Sequence, residues 1–346
     1  MLKKAEIYEF EINLNTPIQM FGHTFSARKG LLLYLYEKNG RVGVAECMPL
    51  HGLNSETLEE AKGKLIWSLE NQKFKSNITS VEYALDSAHY QLNKNFDSKY
   101  AQIFNNGKTS LKVQALMSSN SNDLNKEIAY VFDNKFTEVK LKIGKKSVDD
   151  EIYLINEICR KGKGKFKLRL DANKSLKLEY AVELINSIDK SMIEYIEEPL
   201  IHNYELNRFY RRTKINIALD ESLFEIMHIN QYDKYEGVIA YIIKPNMWGS
   251  LGKLYTLIIL AKQHNIKPIF SSPFESGFGI YWQSIINKMF YNPVTSLGLD
   301  TYKFLENDIL NNNLEYKNNR LIINEISSLS KLVNKERLNM IYEYEY

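Results

Sequence analysis

The chain has 346 residues, of which 44% are hydrophobic, enough to form one large hydrophobic core or two moderate ones. The formal net charge is only +3, and the basic residues do not gather into a face with interleaved aromatic residues, which argues against nucleic acid as a partner. No apolar run approaches the roughly 20 residues that span a bilayer, and the stretch MLKKAEIYEFEINLN lacks the apolar core of a signal peptide, so we expect a cytoplasmic protein without a membrane partner.

The N-terminal part of the chain alternates apolar with polar residues, which is typical of half-buried strands. Residues 4–13 and 30–37 alternate in this way, and the short turn KNGR leads into the stretch RVGVAECMPL. We therefore predict an antiparallel sheet of three strands. Helical spacing of apolar residues over 56–69 and 81–92 predicts two helices after it, and these elements together form an α+β unit over residues 1–105.

From residue 106 the pattern changes to short apolar strands that alternate with amphipathic helical segments. Eight strands are predicted, at residues 113–117, 138–143, 167–171, 193–197, 217–220, 238–244, 268–271 and 295–298. Because strand and helix alternate eight times, we expect an α/β fold with a (β/α)8-type barrel over residues 106–305 and the N-terminal unit as a separate domain. The pattern at residues 307–324 predicts a hairpin. The whole segment 306–346 is expected to return toward the N-terminal domain. Its last twenty residues show no clear pattern.

The stretch TEVKLKIG, at 137–144, places Glu138, Lys140 and Lys142 on one face of a strand and apolar residues on the other. A solvated edge strand would show the same pattern. However, charged residues end the later strands as well, at intervals of 29, 26, 23 and 24 residues: Lys142, Asp171, Glu197, Asp220 and Lys244. Because the C-terminal ends of barrel strands converge on one rim, we expect three carboxylates to face one another there, flanked by lysines.

Carboxylates that meet in one pocket repel one another unless a cation neutralises them. A hard divalent cation, Mg²⁺ or in its place Mn²⁺, prefers oxygen ligands and keeps positions open for substrate. Taken alone, each of Asp171 and Asp220 also fits the N-cap position of the helix that follows it, which is an alternative to metal binding. A lysine beside the cation is a candidate proton carrier, since burial, the cation and Lys140 would each lower the pKa of Lys142. Lys244 would add positive charge from the opposite side.

These motifs resemble those of the enolase superfamily, and within it the muconate-lactonizing subgroup. The motifs are KLK at 140–142, RLDAN at 169–173, EEP at 197–199, DES at 220–222 and IKP at 243–245. The resemblance implies three Mg²⁺ ligands, which are Asp171, Glu197 and Asp220. It implies that Lys142 is the acid/base, Lys244 its partner and Lys140 a neighbour that tunes it. It also implies a capping domain over the barrel mouth, with a loop formed by VAECMPLHGLNSET at 44–57.

Further stretches resemble the o-succinylbenzoate synthase family: SARKGLLL at 26–33, SSPFESGFG at 271–279 and GLDTY at 298–302. Five residues thereby become candidates for substrate binding: Arg169, Asn173, Ser271, Ser272 and Gly277. The serine hydroxyls and the glycine N–H would suit a substrate carboxylate at a helix N-terminus, or they are ordinary loop residues. Arg169 would orient Asp171 or face the substrate, unless it is a strand arginine paired with a neighbouring carboxylate.

The reaction implied by this resemblance is the dehydration of 2-succinyl-6-hydroxy-2,4-cyclohexadiene-1-carboxylate to o-succinylbenzoate, a carbon–oxygen lyase step of menaquinone biosynthesis. Lys142 would remove the proton α to the carboxylate of this small-molecule substrate, and an enediolate would follow. Alternatives with the same site are an N-succinylamino acid racemase and a dipeptide epimerase, although epimerases usually show DxD at the eighth strand, where this chain has LGLDTY. A degenerate barrel that only binds or scaffolds has no reason to keep clustered charges that cost stability when unpaired. The sequence does not specify an oligomeric state.

Overall fold

The computed structural model describes residues 1–346 except residues 21, 118–122, 163, 230–234 and 292–294. Within this part of the chain, the strands form one four-stranded, one seven-stranded and one three-stranded sheet. The strands are β1 (Leu2–Met20), β2 (His23–Glu37), β3 (Val42–Cys47), β4 (Lys108–Lys112), β5 (Ala115–Met117), β6 (Glu138–Lys142), β7 (Lys167–Asp171), β8 (Ile193–Glu197), β9 (Ile217–Leu219), β10 (Val238–Ile243), β11 (Lys267–Phe270), β12 (Glu315–Lys317), β13 (Arg320–Asn324) and β14 (Asn339–Glu345). The helices are α1 (Leu58–Glu70), α2 (Thr79–Leu92), α3 (Lys94–Gln102), α4 (Leu124–Asp133), α5 (Val148–Gly162), α6 (Leu178–Asn186), α7 (Leu206–Thr213), α8 (Leu223–Ile229), α9 (Leu251–Gln263) and α10 (Gly277–Phe290).

The N-terminal sheet has the order β14-β1-β2-β3, and all its neighbouring strands are antiparallel. Both faces of the sheet are buried at residues 31–35 of β2. Leu31, Leu33 and Leu35 of β2 pack in one core with α1 and α2, whereas Leu32 and Tyr34 belong to the larger core shared with the rest of the chain. Because neither face meets water there, residues 31–35 are a continuous apolar run and not an alternating one.

The C-terminal segment pairs with two different sheets. The hairpin predicted within 307–324 exists as β12 and β13, but β13 pairs with β4 and not with the N-terminal sheet. The last twenty residues, for which no element was predicted, contain β14, which pairs antiparallel with β1. Charged side chains are common on edge strands, and this explains why the segment seemed unpatterned. The division of the chain into domains at residues 105 and 305 stays a prediction.

The seven-stranded sheet is parallel and follows chain order from β5 to β11. Strands β7 and β8 have the predicted bounds. The eighth predicted strand, 295–298, is present as a short bridge, since Leu297 pairs with Val113 and Gly298 with Ser271. The backbone N–H of Leu297 donates to the carbonyl of Lys112, at the end of β4 and just before β5, and that of Gly298 donates to the carbonyl of Phe270, at the end of β11. The sheet is therefore curled, and the segment 297–298 connects the end of β11 to the chain just before β5.

Apolar side chains fill the core around the curled sheet. Inside it lies a small cluster of Tyr195, Ala218, Ala240, Ile242 and Ile269. A much larger core joins the outer face of this sheet, its helices and one face of the N-terminal sheet. None of the described helices is both long and apolar enough to cross a membrane. Charged side chains stand at the C-terminal ends of the parallel strands, where β6 ends in Lys142, β7 in Asp171 and β8 in Glu197.

Gly43 of β3 marks a point of close approach between the N-terminal sheet and α2. A Cβ added there would lie 2.0 Å from the carbonyl oxygen of Ala88. We expect Gly43→Ala to lower the free energy of unfolding by about 1–3 kcal/mol, because helix and sheet must separate. In α1, nothing lies within 4 Å of a Cβ added to Gly63. Gly63→Ala should therefore stabilise by about 0.5–1 kcal/mol through helix propensity. Urea unfolding of both variants tests this packing, and equal midpoints would contradict it.

Candidate active site

The ends of five neighbouring strands bring the predicted charged residues to one rim of the parallel sheet. Lys142 is in register with Asp171, and Asp171 with Glu197, so these side chains stand beside one another on β6, β7 and β8. Asp220 directly follows β9, and Lys244 directly follows β10. The strands run parallel, so all five residues lie at the same edge of the sheet.

Each of the three carboxylates at this rim contacts a lysine ammonium group. Lys140 Nζ lies 2.8 Å from Asp171 Oδ2 and 2.8 Å from Glu197 Oε2. Lys142 Nζ lies 2.9 Å from Asp171 Oδ2, and Lys244 pairs with Asp220. The six side chains therefore form two groups of opposite charges, one of Lys140, Lys142, Asp171 and Glu197 and one of Lys244 and Asp220, and each carboxylate has a positive neighbour.

Burial and charge act in opposite directions on these groups. Burial alone would lower the pKa of Lys140, but Asp171 and Glu197 raise it well above its ordinary value, so this side chain stays an ammonium group. Burial would likewise raise the pKa of Asp171, but Lys140 and Lys142 hold it far below its usual range. Burial, together with the nearby Asp171 carboxylate, raises the pKa of Glu197 to about 8. Added positive charge at this rim would favour the ionised form of Glu197.

The chemistry of this donor set fits a hard divalent cation. Among the described side chains, no three acids, histidines or cysteines yet surround a common point at metal-binding distance, because ammonium groups stand between the carboxylates. Near the rim, two buried carboxylate oxygens nevertheless accept no hydrogen bond, Asp171 Oδ2 and Glu221 Oε2. Asp171 Oδ2 contacts the ammonium groups of Lys140 and Lys142 at 2.8 and 2.9 Å. Oxygen donors of this kind suit Mg²⁺.

The two lysines of β6 differ in their exposure. The side chain of Lys140 is 10% exposed and lies between two carboxylates, whereas that of Lys142 is 37% exposed and reaches toward the open end of the sheet. Lys142 is therefore the β6 lysine that a substrate entering at this edge would meet. The role of Lys142 as a proton carrier stays a prediction.

Asn173 links Lys142 to Asp171. Its side-chain oxygen accepts a hydrogen bond from Lys142 Nζ at 2.6 Å, and its backbone N–H donates to Asp171 Oδ1 at 3.1 Å. The residue has a φ of 42°, in the left-handed region that asparagine tolerates better than most residues. Asn173 thus lies in the predicted site, where it orients a lysine and a carboxylate.

The guanidinium of Arg169 does not lie among the carboxylates of the rim. Its side chain is fully buried in the interior of the curled sheet, where the guanidinium donates to Glu194 at 2.7 Å and to Gln114 at 2.5 Å. It also donates to the Ser296 carbonyl and the Thr295 hydroxyl, both at 2.8 Å. The structure does not bring this guanidinium to the carboxylates at the rim. The pairing with a strand carboxylate, left open by the sequence, is the arrangement that the structure shows.

The substrate-binding candidates Ser271, Ser272 and Gly277 lie in the loop after β11 and at the start of α10. Ser271 bridges to Gly298, and the Ser272 hydroxyl accepts the backbone N–H of Glu275 at 3.1 Å. The N–H of Gly277 donates to Asp308 at 3.0 Å. The N–H of Gly277, which was expected to bind a substrate carboxylate, thus already has a partner within the protein. Ser271 lies beside the end of β10, next to Lys244.

Sequence reasoning missed three charged residues near the rim, of which Arg28 and Glu198 are buried and Glu221 is half-buried. Arg28 donates to the carbonyls of Met48, Pro49 and Phe274, so it ties the loop after β3 to the loop after β11. Glu198 and Glu221 are the second acids of the EEP and DES motifs. Burial and the neighbouring Asp220 raise the pKa of Glu221. Doubled acids at two strand ends were the available signal for both glutamates.

Two family models match the chain. The model described as enolase C-terminal domain-like matches residues 123–326, and the model for the N-terminal domain of MenC matches residues 2–92. The first match includes every strand end that carries a charged residue of the rim. The second includes β1 to β3, α1 and α2.

Relatives with similar sequences align with most of the chain. The chain is 26% identical over 321 residues to an o-succinylbenzoate synthase of Proteus mirabilis, and the alignment covers 89% of this chain and 93% of that protein. The chain is also 28% identical over 354 residues to the chloroplastic protein PHYLLO of Arabidopsis thaliana, and this alignment covers 83% of the chain and 20% of PHYLLO. The chain therefore spans about a fifth of the length of the Arabidopsis relative.

Solved structures share the fold at low identity. A member of the enolase superfamily from Roseovarius nubinhibens, complexed with magnesium, has a TM-score of 0.82 at 15% identity and covers 100% of this chain and 99% of its own. An N-succinyl Arg/Lys racemase from Bacillus cereus also has a TM-score of 0.82, at 17% identity, and covers 99% of both chains. At these identities the likeness establishes the fold.

The donor set predicts that Asp220 contributes to divalent-cation binding. Asp220→Asn keeps the side-chain shape but removes one negative charge, so we expect Mn²⁺ affinity to fall by about tenfold or more. Isothermal titration calorimetry of the purified protein with Mn²⁺ measures this affinity. Glu179→Gln is the matched control, because Glu179 is 69% exposed and pairs with Arg212 on the surface. Equal Mn²⁺ affinity in Asp220→Asn and wild-type protein would remove Asp220 from the ligand set.

Proposed function

Because the chain belongs to the enolase C-terminal domain-like family, an enzyme family, we propose that it dehydrates 2-succinyl-6-hydroxy-2,4-cyclohexadiene-1-carboxylate to o-succinylbenzoate. The observation that carries the proposal is the set of three strand-end carboxylates with lysines on either side of them. The match of residues 2–92 to the MenC N-terminal domain supports this substrate, as does the similarity to o-succinylbenzoate synthases. Menaquinone biosynthesis is the corresponding pathway.

Asp171, Glu197 and Asp220 would hold Mg²⁺, and Mn²⁺ in its place. The magnesium found in the structure from Roseovarius nubinhibens supports this choice of ion. When bound, the ion would supply positive charge to the carboxylate of the substrate, where negative charge develops as the α-proton leaves. We also propose that the curled sheet, together with 297–298, is a (β/α)8-type barrel, since active sites of such barrels lie at this end of the strands.

Lys142 would act as acid and base in turn. Its neutral amine takes the proton from the carbon α to the carboxylate and becomes an ammonium group. That ammonium then gives the proton to the departing hydroxyl, which leaves as water, so the lysine returns to its starting state. Asn173 holds the Lys142 amine by the hydrogen bond already described. General acid–base catalysis of this kind contributes about 10²–10⁴ in rate.

Lys244 would act by its charge. It is 12% exposed, pairs with Asp220, and stands two strands beyond Glu197 along the rim. Asp220 and Glu221 raise its pKa against the effect of burial, so the side chain is an ammonium group. Lys140, between Asp171 and Glu197, would balance the charge of the ligands and would not reach the substrate.

The alternative function is racemisation or epimerisation of an N-succinylamino acid or a dipeptide. The similarity to the Bacillus cereus racemase favours it, and so does the presence of lysines on both sides of the carboxylates. Racemisation requires each lysine to exchange a proton with the α-carbon from its own side. Dehydration with both proton transfers on one side requires one proton carrier and one fixed charge, which agrees with the raised pKa of Lys244.

The two lysines should differ in their chemistry. We expect Lys142→Ala to lose dehydration by a factor of about 10² or more, together with exchange of the substrate α-proton in D₂O, because it removes the proton carrier. Lys244→Arg should retain part of both activities because it keeps the charge. Mass spectrometry of the recovered substrate measures the exchange. Lys73→Ala, at an exposed position, is the control. Robust dehydration by Lys142→Ala would mean that another group is the base.

Substrate preference separates the synthase from the racemase. We expect kcat/KM for dehydration of the cyclohexadiene substrate to exceed that for racemisation of N-succinylamino acids, because the ratio reports differential stabilisation of the two transition states. Initial rates on both substrates, with the same enzyme preparation and saturating Mg²⁺, measure it. Racemisation faster by tenfold, about 1.4 kcal/mol, would leave the superfamily mechanism in place and replace the synthase assignment.

A further inference from the structure

Glu198 is the most constrained acid next to the rim. It follows the metal-ligand candidate Glu197, is 1% exposed, and has a φ of 41°. This left-handed conformation is unfavourable for a residue with a Cβ, and it persists only where surrounding contacts enforce it. The turn directs the side chain of Glu197 toward Lys140 and that of Glu198 toward the turn after β9.

The carboxylate of Glu198 binds the turn that carries Asp220. Oε1 accepts the backbone N–H of Asp220 and that of Ser222, both at 2.7 Å. Oε2 accepts the Ser222 hydroxyl at 2.6 Å. Three donors from the DES motif therefore converge on one carboxylate, and hydrogen bonds to an ionised acceptor are stronger than neutral ones.

The backbone of Glu198 binds the neighbouring strands as well. Its N–H donates to the carbonyl of Ala218 on β9, at 3.1 Å. Its carbonyl accepts the N–H of Lys174 at 2.7 Å, in the turn that follows Asp171 and Asn173. One residue thus makes contacts with the segments that carry all three ligand candidates, on β7, β8 and β9.

We propose that Glu198 is a positioning residue that sets the spacing of the Asp171, Glu197 and Asp220 carboxylates. It does not itself reach the cation. The proposal rests on the proposed function only in that these three carboxylates bind a divalent cation. It assigns a role to the second acid of the EEP motif, which is to hold the backbone of the DES turn at a fixed distance from Glu197.

A purely structural role is the competing explanation, since the same bonds also fix the chain before α8. The chain offers a matched control for it. Glu151 of α5 is 1% exposed, and its Oε1 accepts the backbone N–H groups of Gly144, Lys145 and Lys146 at 2.5, 3.0 and 3.3 Å. It is therefore a buried carboxylate that binds a loop after a strand, as Glu198 is, but its loop carries no ligand candidate.

The experiment compares Glu198→Ala and Glu151→Ala by thermal unfolding without metal and by isothermal titration with Mn²⁺. Both variants lose buried bonds to backbone N–H groups, so we expect both to unfold at lower temperature. We expect the Mn²⁺ dissociation constant to rise by about 10- to 100-fold in Glu198→Ala, as for other residues that orient metal ligands, and to change less than twofold in Glu151→Ala. A large rise in Glu198→Ala alone supports a positioning role.

Glu198→Gln keeps the test valid where the alanine variant does not fold. Its amide oxygen still accepts the two N–H groups, whereas its NH₂ group must donate to the Ser222 hydroxyl, so Mn²⁺ binding should weaken by less than in Glu198→Ala. Wild-type Mn²⁺ affinity in both Glu198 variants would overturn this inference alone. So would equal weakening in the Glu151 variant. Failure of the wild-type protein to bind Mn²⁺ would overturn the proposed metal site, and this inference with it.

Discussion

The arrangement of the rim follows from one electrostatic constraint: three buried carboxylates converge at adjacent strand ends and must be neutralised there. An uncompensated buried charge is far more costly than a paired one, and three of the same sign would separate the strands that carry them. Lys140, Lys142 and Lys244 meet this requirement from within the same sheet. The lysines differ in how firmly they are held, because Lys140 contacts two carboxylates whereas Lys142 contacts one and an amide. Lys140 is therefore the more firmly fixed counter-charge of the two β6 lysines.

The N-terminal sheet is part of the same arrangement, although it carries none of the rim carboxylates. Its second face is buried in the larger core, and Arg28 connects its loop at 48–49 to the loop after β11. Burial lowers the pKa of Arg28 to about 10, and Glu46 and Glu275 oppose this effect. A buried guanidinium with three carbonyl partners fixes the loops on both sides of it. Arg28 thus joins two loops from distant parts of the sequence, one after β3 and one after β11.

The parts predicted from sequence are those in which local pattern and tertiary environment agree. β7 and β8 are short buried strands that end in a charge, so their bounds and the positions of Asp171 and Glu197 followed from the sequence. β14 was missed because an edge strand is defined by its partner, and Lys4 and Glu343 are 339 positions apart. The partners of Arg169 at 295–296 are equally remote. Glu198 was missed as a structural residue because its role depends on a left-handed φ, which no apolar periodicity indicates.

The pairing of β1 with β14 has a consequence for how the protein folds. Strand β1 is joined to β2 by a local hairpin, but its other edge is satisfied by residues 339–345. A nascent chain must therefore expose that edge until residues 339–345 have left the ribosome. Contacts of such high sequence separation form late and slow the search for the native state. Until then the unpaired edge of β1 is exposed to mispairing with other chains, and this sheet cannot be completed before residues 339–345 are available.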